Sequence, residues 1–443
     1  MEFAWASRTD VGRVRSRNED ALLCDGEIGF FMVADGMGGH QGGEEASRIA
    51  CETVVSFLRR HGDILERAAR DPVPVQRRAV AELLGAAFRE ANEAIVRASD
   101  RDAALQGMGS TGVALVLAGD RAFIAHVGDS RAYLIRDRMA TLLTEDHSLL
   151  FELLRQGRLA RSQVARFPMK NVVTQALGIR GEVQPEVMDL PCLPGDRFLL
   201  SSDGFHGTVE DERLPRLCEG PLETVAERLV SFANASGGAD NITAVVLEIG
   251  RIDGDPIAIR ERLRRIRETP LFGALTMGEL FRVLSRADHF LARPGEVLVR
   301  EGDRLDGILV VLSGEVEVLH GDQVWMRLGT GGTFGEVCLV EDRPAEVALA
   351  ASAPTEVALV SRRWFETEAG QHPAMALRMM RQVARGIAQR LRAAQQDLAR
   401  LGDLVDVDAL PSRFGEVLPD QFDFETEVTP VSGLPTVQLE DRK

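Results

Sequence analysis

Short apolar runs that break off at an aspartate or glycine recur through the first 250 residues. GFFMVADG, GVALVLAG, RAFIAHVG, AYLIRD, RFLLSSDG and ITAVVLEIG have strand length and turn-forming ends. Such a run places a carboxylate at the lip of a sheet, where loops carry function. Asp-Gly at a strand end is also an ordinary turn. Here Asn18–Glu19–Asp20, Asp35–Gly36, Asp129 of GDSR, Asp203–Gly204 and Asp240–Asn241 all stand beside apolar runs. If they converge, their like charges need a cation.

The donor set suits a hard divalent ion. Mg²⁺ and Mn²⁺ take carboxylates, backbone carbonyls and water as ligands. A glycine after the aspartate lets the main chain approach, so its carbonyl can join the carboxylate. Two ions about 4 Å apart can share a water, lower its pKa and aim it at phosphorus.

A chain of 443 residues suggests two or three domains. VALVLAGDRAFIAHVG reads as a hairpin turning at Gly119–Asp120. EEASRIACETVVSFLRR and VAELLGAAFREANEAIVRAS have helical periodicity. Strands and helices are grouped rather than strictly alternating, which predicts an α+β layered fold. Residues 257–267 form a basic helix candidate that connects to a second unit from about Thr269. From Phe290 short strands and glycine turns predict a small β-barrel or jelly roll. A long amphipathic helix follows over 373–401, and the acidic remainder from Gly402 reads as disordered.

A net charge of −16 gives no long-range attraction for nucleic acid or an anionic membrane. Five cysteines without a CxxC pair fit reduced thiols in the cytoplasm better than a disulfide framework or structural zinc. The N-terminus has no apolar stretch of signal-peptide length, and no segment is long and apolar enough to span a membrane.

RSRNED, VADGMGGH, GSTGVAL, HVGDSRAYL, LTEDHS, LLSSDG and DNITAVVLEI occur in this order over roughly residues 3 to 250. Together they resemble the metal-dependent Ser/Thr phosphatases of the PPM, or protein phosphatase 2C, family. The resemblance implies an antiparallel β-sandwich flanked by helices, with the metal site at one end. It implies that Asp35 bridges two Mn²⁺ or Mg²⁺ ions, with the Gly36 carbonyl on one. Asp203 and Asp240 hold the other ion, Glu19 and Asp20 hold waters around the pair, and Asp129 helps to hold a third, weaker ion. Arg15 binds the substrate phosphate, as a guanidinium fork suits phosphate oxygens. The residues alone do not separate Arg15 from Arg13 and Arg17. The reaction implied is in-line attack of a metal-activated water on a phosphoserine or phosphothreonine ester. The substrates are phosphoproteins made by a Ser/Thr kinase.

Eukaryotic members resemble DGHGG, with a histidine as proposed general acid. Here that place is Met37, whose thioether donates no proton. DGMGGH matches the bacterial form. His40 reads as a loop or helix-start residue, and His147 as either a proton donor or a structural residue. Residues 149–171 fall where the family carries a flap beside the metals.

Residues 269–401 resemble a cyclic-nucleotide-binding domain, through PLFGALT, PGEVLVREGD, GILVVLSGEVEV and FGEVCLVEDRP. The resemblance implies a phosphate cassette starting at Gly335, with Glu336 on the ribose hydroxyl and an arginine soon after the proline. Here Ala345 and Glu346 follow Pro344. Loss of that charge-assisted partner costs about 1.5–3 kcal/mol. Arg343 is the one substitute in reach of the motif. The expectation is a β-roll that docks, regulates or forms a homodimer, without a cyclic nucleotide. The alternative is a signalling scaffold or cyclic-nucleotide sensor with a weak phosphatase domain. Thr426, Thr429 and Ser432 in the tail read as ordinary disordered residues or phosphorylation sites.

Overall fold

The computed structural model describes residues 1–404 apart from 39–41, 170–171, 180, 340 and 342. His40, the end of the flap at Asn171 and the tail residues Thr426, Thr429 and Ser432 lie outside the described residues. Met1–Gly386 form one compact unit and Ile387–Lys443 a second. Of the second unit, the described part is the remainder of the helix Pro373–Leu404.

Period-two patterning builds the N-terminal sandwich. In the strand Phe30–Met37, Phe30, Met32 and Ala34 face one way while Phe31 and Val33 face the other. Phe31 and Val33 join Val113 and Leu115 against Leu134, Phe198, Leu200, Val245 and Leu247 of a second sheet. One sheet orders Asp20–Asp25, Phe30–Met37, Gly112–Ala118, Arg121–Val127 and Glu186–Pro191; the other orders Glu2–Asp10, Ile242–Arg251, Arg197–Ser201, Arg131–Arg136 and Met139–Leu142. All these pairings are antiparallel. The hairpin turns at Gly119, whose φ of +63° suits glycine.

Helices cover both outer faces. Gly42–Arg60 buries Ala46, Ala50, Val54 and Leu58, spaced four apart on one stripe. Glu44 and Glu45 in its first turn and Arg59 and Arg60 in its last complement the helix dipole. Pro74 opens Pro74–Arg101 at a position where its missing N–H costs nothing. Leu222–Ala235 covers the second sheet through Val225, Leu229 and Ala233. Among the described residues, no helix is long and apolar enough to cross a membrane.

The second domain is a roll of two four-stranded sheets closed over Leu309, Val311, Val316, Val318 and Leu349. Helices Met277–Arg286, Arg362–Gln371 and the start of Pro373–Leu404 pack on its outer face with Phe272 and Val310. Helix Pro256–Glu268, capped by Asp255, sends Ile259 into the sandwich core and Ile266 into the roll's helical core. It is a strut between the two rather than a loose tether.

Buried polar bonds add to that strut. Glu356 of the roll is ion-paired with Arg77 of Pro74–Arg101 and lies 3.2 Å from Arg262. The side chains of Arg77 and Glu356 are 11% and 10% exposed. Ser285 Oγ accepts from the Asp189 N–H at 3.0 Å and donates to its carbonyl at 2.9 Å. Removing one member of a buried pair strands the other. We expect Glu356→Ala to destabilise the Met1–Gly386 unit by about 3–5 kcal/mol, read as a lower thermal midpoint. An unchanged midpoint would show that the pair is not what holds the roll in place.

Candidate active site

Each acidic residue is delivered by a strand end on the same side of the sandwich. Asp20 opens its strand directly opposite Asp35. Asp203 follows Arg197–Ser201, and Asp240 precedes Ile242–Arg251, the neighbouring strand. Asp129 sits in the turn between Arg121–Val127 and Arg131–Arg136. Two glycines make this convergence possible. A Cβ on Gly36 would stand 2.0 Å from the Gly43 carbonyl, and one on Gly204 would stand 2.0 Å from the Asn241 carbonyl.

The carboxyl groups feel one another strongly. Burial, then the charges of Asp20, Asp203 and Asp129, holds the Asp35 carboxyl well above the usual range, and it shares a hydrogen bond with Asp203. Burial pushes Asp20 to about 7 against the pull of two hydroxyl donors, with Asp203 and Asp240 adding repulsion. Asp129 also rises to about 7, through burial and then Asp203 and Asp146. Asp20 Oδ2 accepts from Ser202 Oγ at 2.7 Å and Thr243 Oγ1 at 2.6 Å. Its Oδ1 is buried without a partner. A buried orphan oxygen among mutually repelling carboxylates fits a divalent cation.

Of the three N-terminal arginines, Arg15 is the one whose guanidinium reaches this cluster. Its Nη2 donates to Asp240 Oδ2 at 2.7 Å, and Glu19 and Asp35 add attraction. Its side chain is half exposed. Arg13 instead uses its main-chain N–H on Gly238 at 2.7 Å, and the Arg17 carbonyl accepts from Asn241 at 2.8 Å. Glu19 lies beside the cluster, with its carbonyl accepting from the Gly36 N–H at 3.1 Å and from Ser47 Oγ at 2.6 Å.

The roles of the residues that organise the site were not legible from sequence, although Asn241 stands in the Asp240–Asn241 motif. Asn241 Nδ2 donates to the carbonyls of Val11 and Arg17, and its Oδ1 accepts from the Glu19 N–H at 2.8 Å, so it ties down the loop that carries Arg15. Thr111 Oγ1 accepts from the Asp35 N–H at 3.0 Å and bonds Ser130 Oγ at 2.6 Å. The available signal was polar residues at strand positions, Thr243 in ITAVV and Ser202 after LLS.

The ring of His147 is tied into the surrounding backbone and side chains. His147 Nδ1 accepts from the Gly128 N–H at 3.2 Å and lies 2.9 Å from the Gln175 amide nitrogen. This pattern assigns the proton to Nε2, 3.5 Å from Glu186 Oε1. His126, His147 and Glu186 offer atoms within 4.8 Å of one another, but that tautomer leaves no lone pair on Nε2 for a metal. Met37 is half-buried beside Gly109.

In the roll, Glu336 Oε1 accepts from Thr333 Oγ1 at 2.8 Å. Gly335 holds a φ of +94°, with Leu305 and the Gly307 carbonyl where a Cβ would stand. Ala345 packs on the apolar interior, and its N–H donates to the Asp303 carbonyl at 2.7 Å. Arg343 lies exposed and pairs with Glu341 at 3.0 Å.

The sandwich and its acidic end define a metal-dependent protein phosphatase. The family model for protein phosphatase 2C matches residues 12–245, and that for the cyclic nucleotide-binding domain matches residues 291–372. The serine/threonine phosphatase stp of Listeria monocytogenes is 34% identical over 246 residues, 54% of this chain and 94% of that protein. The serine/threonine protein phosphatase PstP of Mycobacterium tuberculosis is 34% identical over 252 residues, 56% of this chain and 45% of that one. A crystal structure of the Mycobacterium tuberculosis phosphatase PstP/Ppp superposes with a TM-score of 0.50 at 33% identity, covering 56% of this chain and 99% of that chain. The chain belongs to the protein phosphatase 2C family.

The raised Asp20 carboxyl has a signed consequence. Its value moves from 3.8 to about 7, so ionisation costs stability in the folded, metal-free chain. That cost is absent below the unfolded value, grows through the window between the two, and is complete above about 7. In chelator we expect Asp20→Asn to stabilise relative to wild type at pH 8 by roughly 2–4 kcal/mol, and by nothing measurable at pH 4. Denaturant unfolding at both pH values checks this; equal differences at the two would contradict it.

Proposed function

We propose that the acidic end of the sandwich hydrolyses phosphoserine and phosphothreonine in proteins, with two Mn²⁺ or Mg²⁺ ions and a third, weaker one. The observation that carries this is the mutual repulsion of Asp20, Asp35, Asp129, Asp203 and Asp240, with Asp20 Oδ1 buried and unpartnered among them. In this reading Asp35 would help to hold both ions, the Gly36 carbonyl one of them, Asp203 and Asp240 the other, and Asp129 would help to hold a third. The bound ions supply Lewis acidity, activating water and offsetting phosphate charge.

This chain's own groups do the rest. Asp20 is aimed by Ser202 and Thr243, and with Glu19 it orients water at the cluster. Arg15 leaves Asp240 to take a phosphate oxygen, which its half-exposed side chain allows. Met37 takes no part in proton transfer. The flap from Leu149, whose first helix is capped by Ser148, would select among phosphoproteins made by a Ser/Thr kinase.

We divide the chain into a phosphatase domain over 1–250, a connector over 251–268, a regulatory or docking roll over 269–401 and a tail beyond. In this reading the roll acts without cyclic nucleotide, because Ala345, an apolar residue packed on the interior, follows Pro344 where the family carries an arginine. Five unpaired thiols suit the cytoplasm.

On a phosphothreonine peptide we expect Mn²⁺-dependent turnover that falls at least 100-fold in Asp35→Asn and in Asp203→Asn. Arg15→Ala should raise KM about tenfold with a smaller change in kcat. Variants that match wild type, or turnover indifferent to chelator, would end this reading. Calorimetry with cyclic AMP and cyclic GMP should give no micromolar binding; a binding isotherm with either would place a nucleotide in the roll.

A further inference from the structure

The segment Glu145–Asp146–His147 sends three side chains to three different partners. Asp146 takes a bidentate bond from Arg131, at 2.8 and 2.7 Å. His147 clasps Gly128 from both ends: its N–H donates to the Gly128 carbonyl at 3.0 Å, and its Nδ1 accepts the Gly128 N–H at 3.2 Å. Glu145 turns toward the roll. It is ion-paired with Arg282 of Met277–Arg286 and lies 3.3 Å from His372 Nε2. Arg282, Glu145 and His372 are 12%, 15% and 10% exposed, so this junction is shielded from solvent. The Glu145 carbonyl accepts from His126 Nε2 at 2.7 Å, and the His126 ring stacks on His147 at 4.8 Å.

What these bonds fix is the turn before Asp129. Gly128 stands at φ +97°, with Thr111 Cβ 2.7 Å from where a Cβ would be. The turn is therefore closely packed against Thr111, and glycine is what lets it adopt this shape. On its other side the Asp129 carbonyl accepts from His206 Nε2 at 2.9 Å. Movement of residues 145–147 thus reaches Asp129 through Gly128 and Arg131.

We propose that His147 is a positioning residue for Asp129, and that Arg282 of the roll holds His147 in place through Glu145. The second domain would thereby tune the weaker ion that Asp129 helps to hold. This rests on the reading of Asp129 as a residue that holds an ion. Without Arg282 the buried Glu145 carboxylate has lost its main cation and must move toward water, taking the His147 backbone with it. The Arg77–Glu356 pair clamps the same roll elsewhere and makes no bond to residues 145–147.

The test is Mn²⁺ titration calorimetry on the full chain without substrate, together with amide exchange at Gly128 and Asp129. Asp129→Asn should abolish the weaker class of Mn²⁺ sites. Arg282→Met should weaken that class about tenfold, in the range expected for residues supporting a ligand, while leaving the tight class unchanged. His147→Gln should do at least as much, and the double variant no more than His147→Gln alone. Arg77→Met should lower the thermal midpoint yet leave both classes as in wild type. Exchange at Gly128 should quicken with Arg282→Met and not with Arg77→Met.

A weaker class unmoved by Arg282→Met, additive effects in the double variant, or an equal loss in Arg77→Met would overturn the proposal. If Asp129→Asn keeps the weaker class, the metal role of Asp129 is what fails. Exchange at Gly128 then decides the positioning claim by itself: faster in Arg282→Met supports it, unchanged refutes it. Should Arg282→Met not fold, Arg282→Lys keeps the charge and is expected to show a smaller shift in the same direction.

Discussion

Carboxylates drawn toward one point in a poorly solvated pocket repel one another, and the fold has to hold them there against that force. Asp20, Asp35, Asp129 and Asp203 all have carboxyls raised by burial and by their neighbours. Nothing local could keep them together. The restraint comes from two sheets locked face to face through Phe31, Leu115, Phe198 and Val245, which set the strand ends in register. Hydroxyls and an amide complete the work: Ser202 and Thr243 on Asp20, Thr111 on the Asp35 backbone, Asn241 on the Arg15 loop. The donors are pre-placed, so little reorganisation is left for the moment a cation or a phosphate arrives.

The two domains are joined by the same kind of interaction. Glu356 with Arg77, and Glu145 with Arg282, are ion pairs largely removed from water. Such pairs add little to stability compared with well-packed apolar replacements, yet they penalise any arrangement that separates the partners. That suits a junction whose geometry matters more than its strength. The strut helix Pro256–Glu268 supplies the apolar contribution through Ile259 and Ile266.

Much of the sandwich was legible because its strands alternate or run fully apolar between glycine and aspartate. The strands at 30–37, 112–118, 121–127 and 197–201 follow the runs that announce them. Helix Pro74–Arg101 begins six residues before the expected VAELL, since proline at the first helical position starts a helix rather than breaking one. The strand Glu2–Asp10 left little trace, because as an edge strand it is largely exposed and its apolar residues Phe3–Ala6 run together without alternating. The aspartates could be named from their motifs, whereas the groups that aim them could not. Thr243 looks like any β-branched strand residue until its hydroxyl is seen on Asp20. Sequence offered no sign that the His147 ring would bond the Gly128 N–H and the Gln175 amide. Glu145 gave no hint of its partner, which lies 137 positions away.

The protonated state of the acidic end also bears on how long the protein survives. An ion taken up by these carboxylates binds the folded chain far better than the unfolded one, so it shifts the folding equilibrium by mass action. At one hundred times its dissociation constant it would add about 2.7 kcal/mol. The fraction of molecules open to proteases would then follow the free Mn²⁺ or Mg²⁺ around them. Abundance and activity would rise and fall together with one inorganic supply, before any regulator touched the roll.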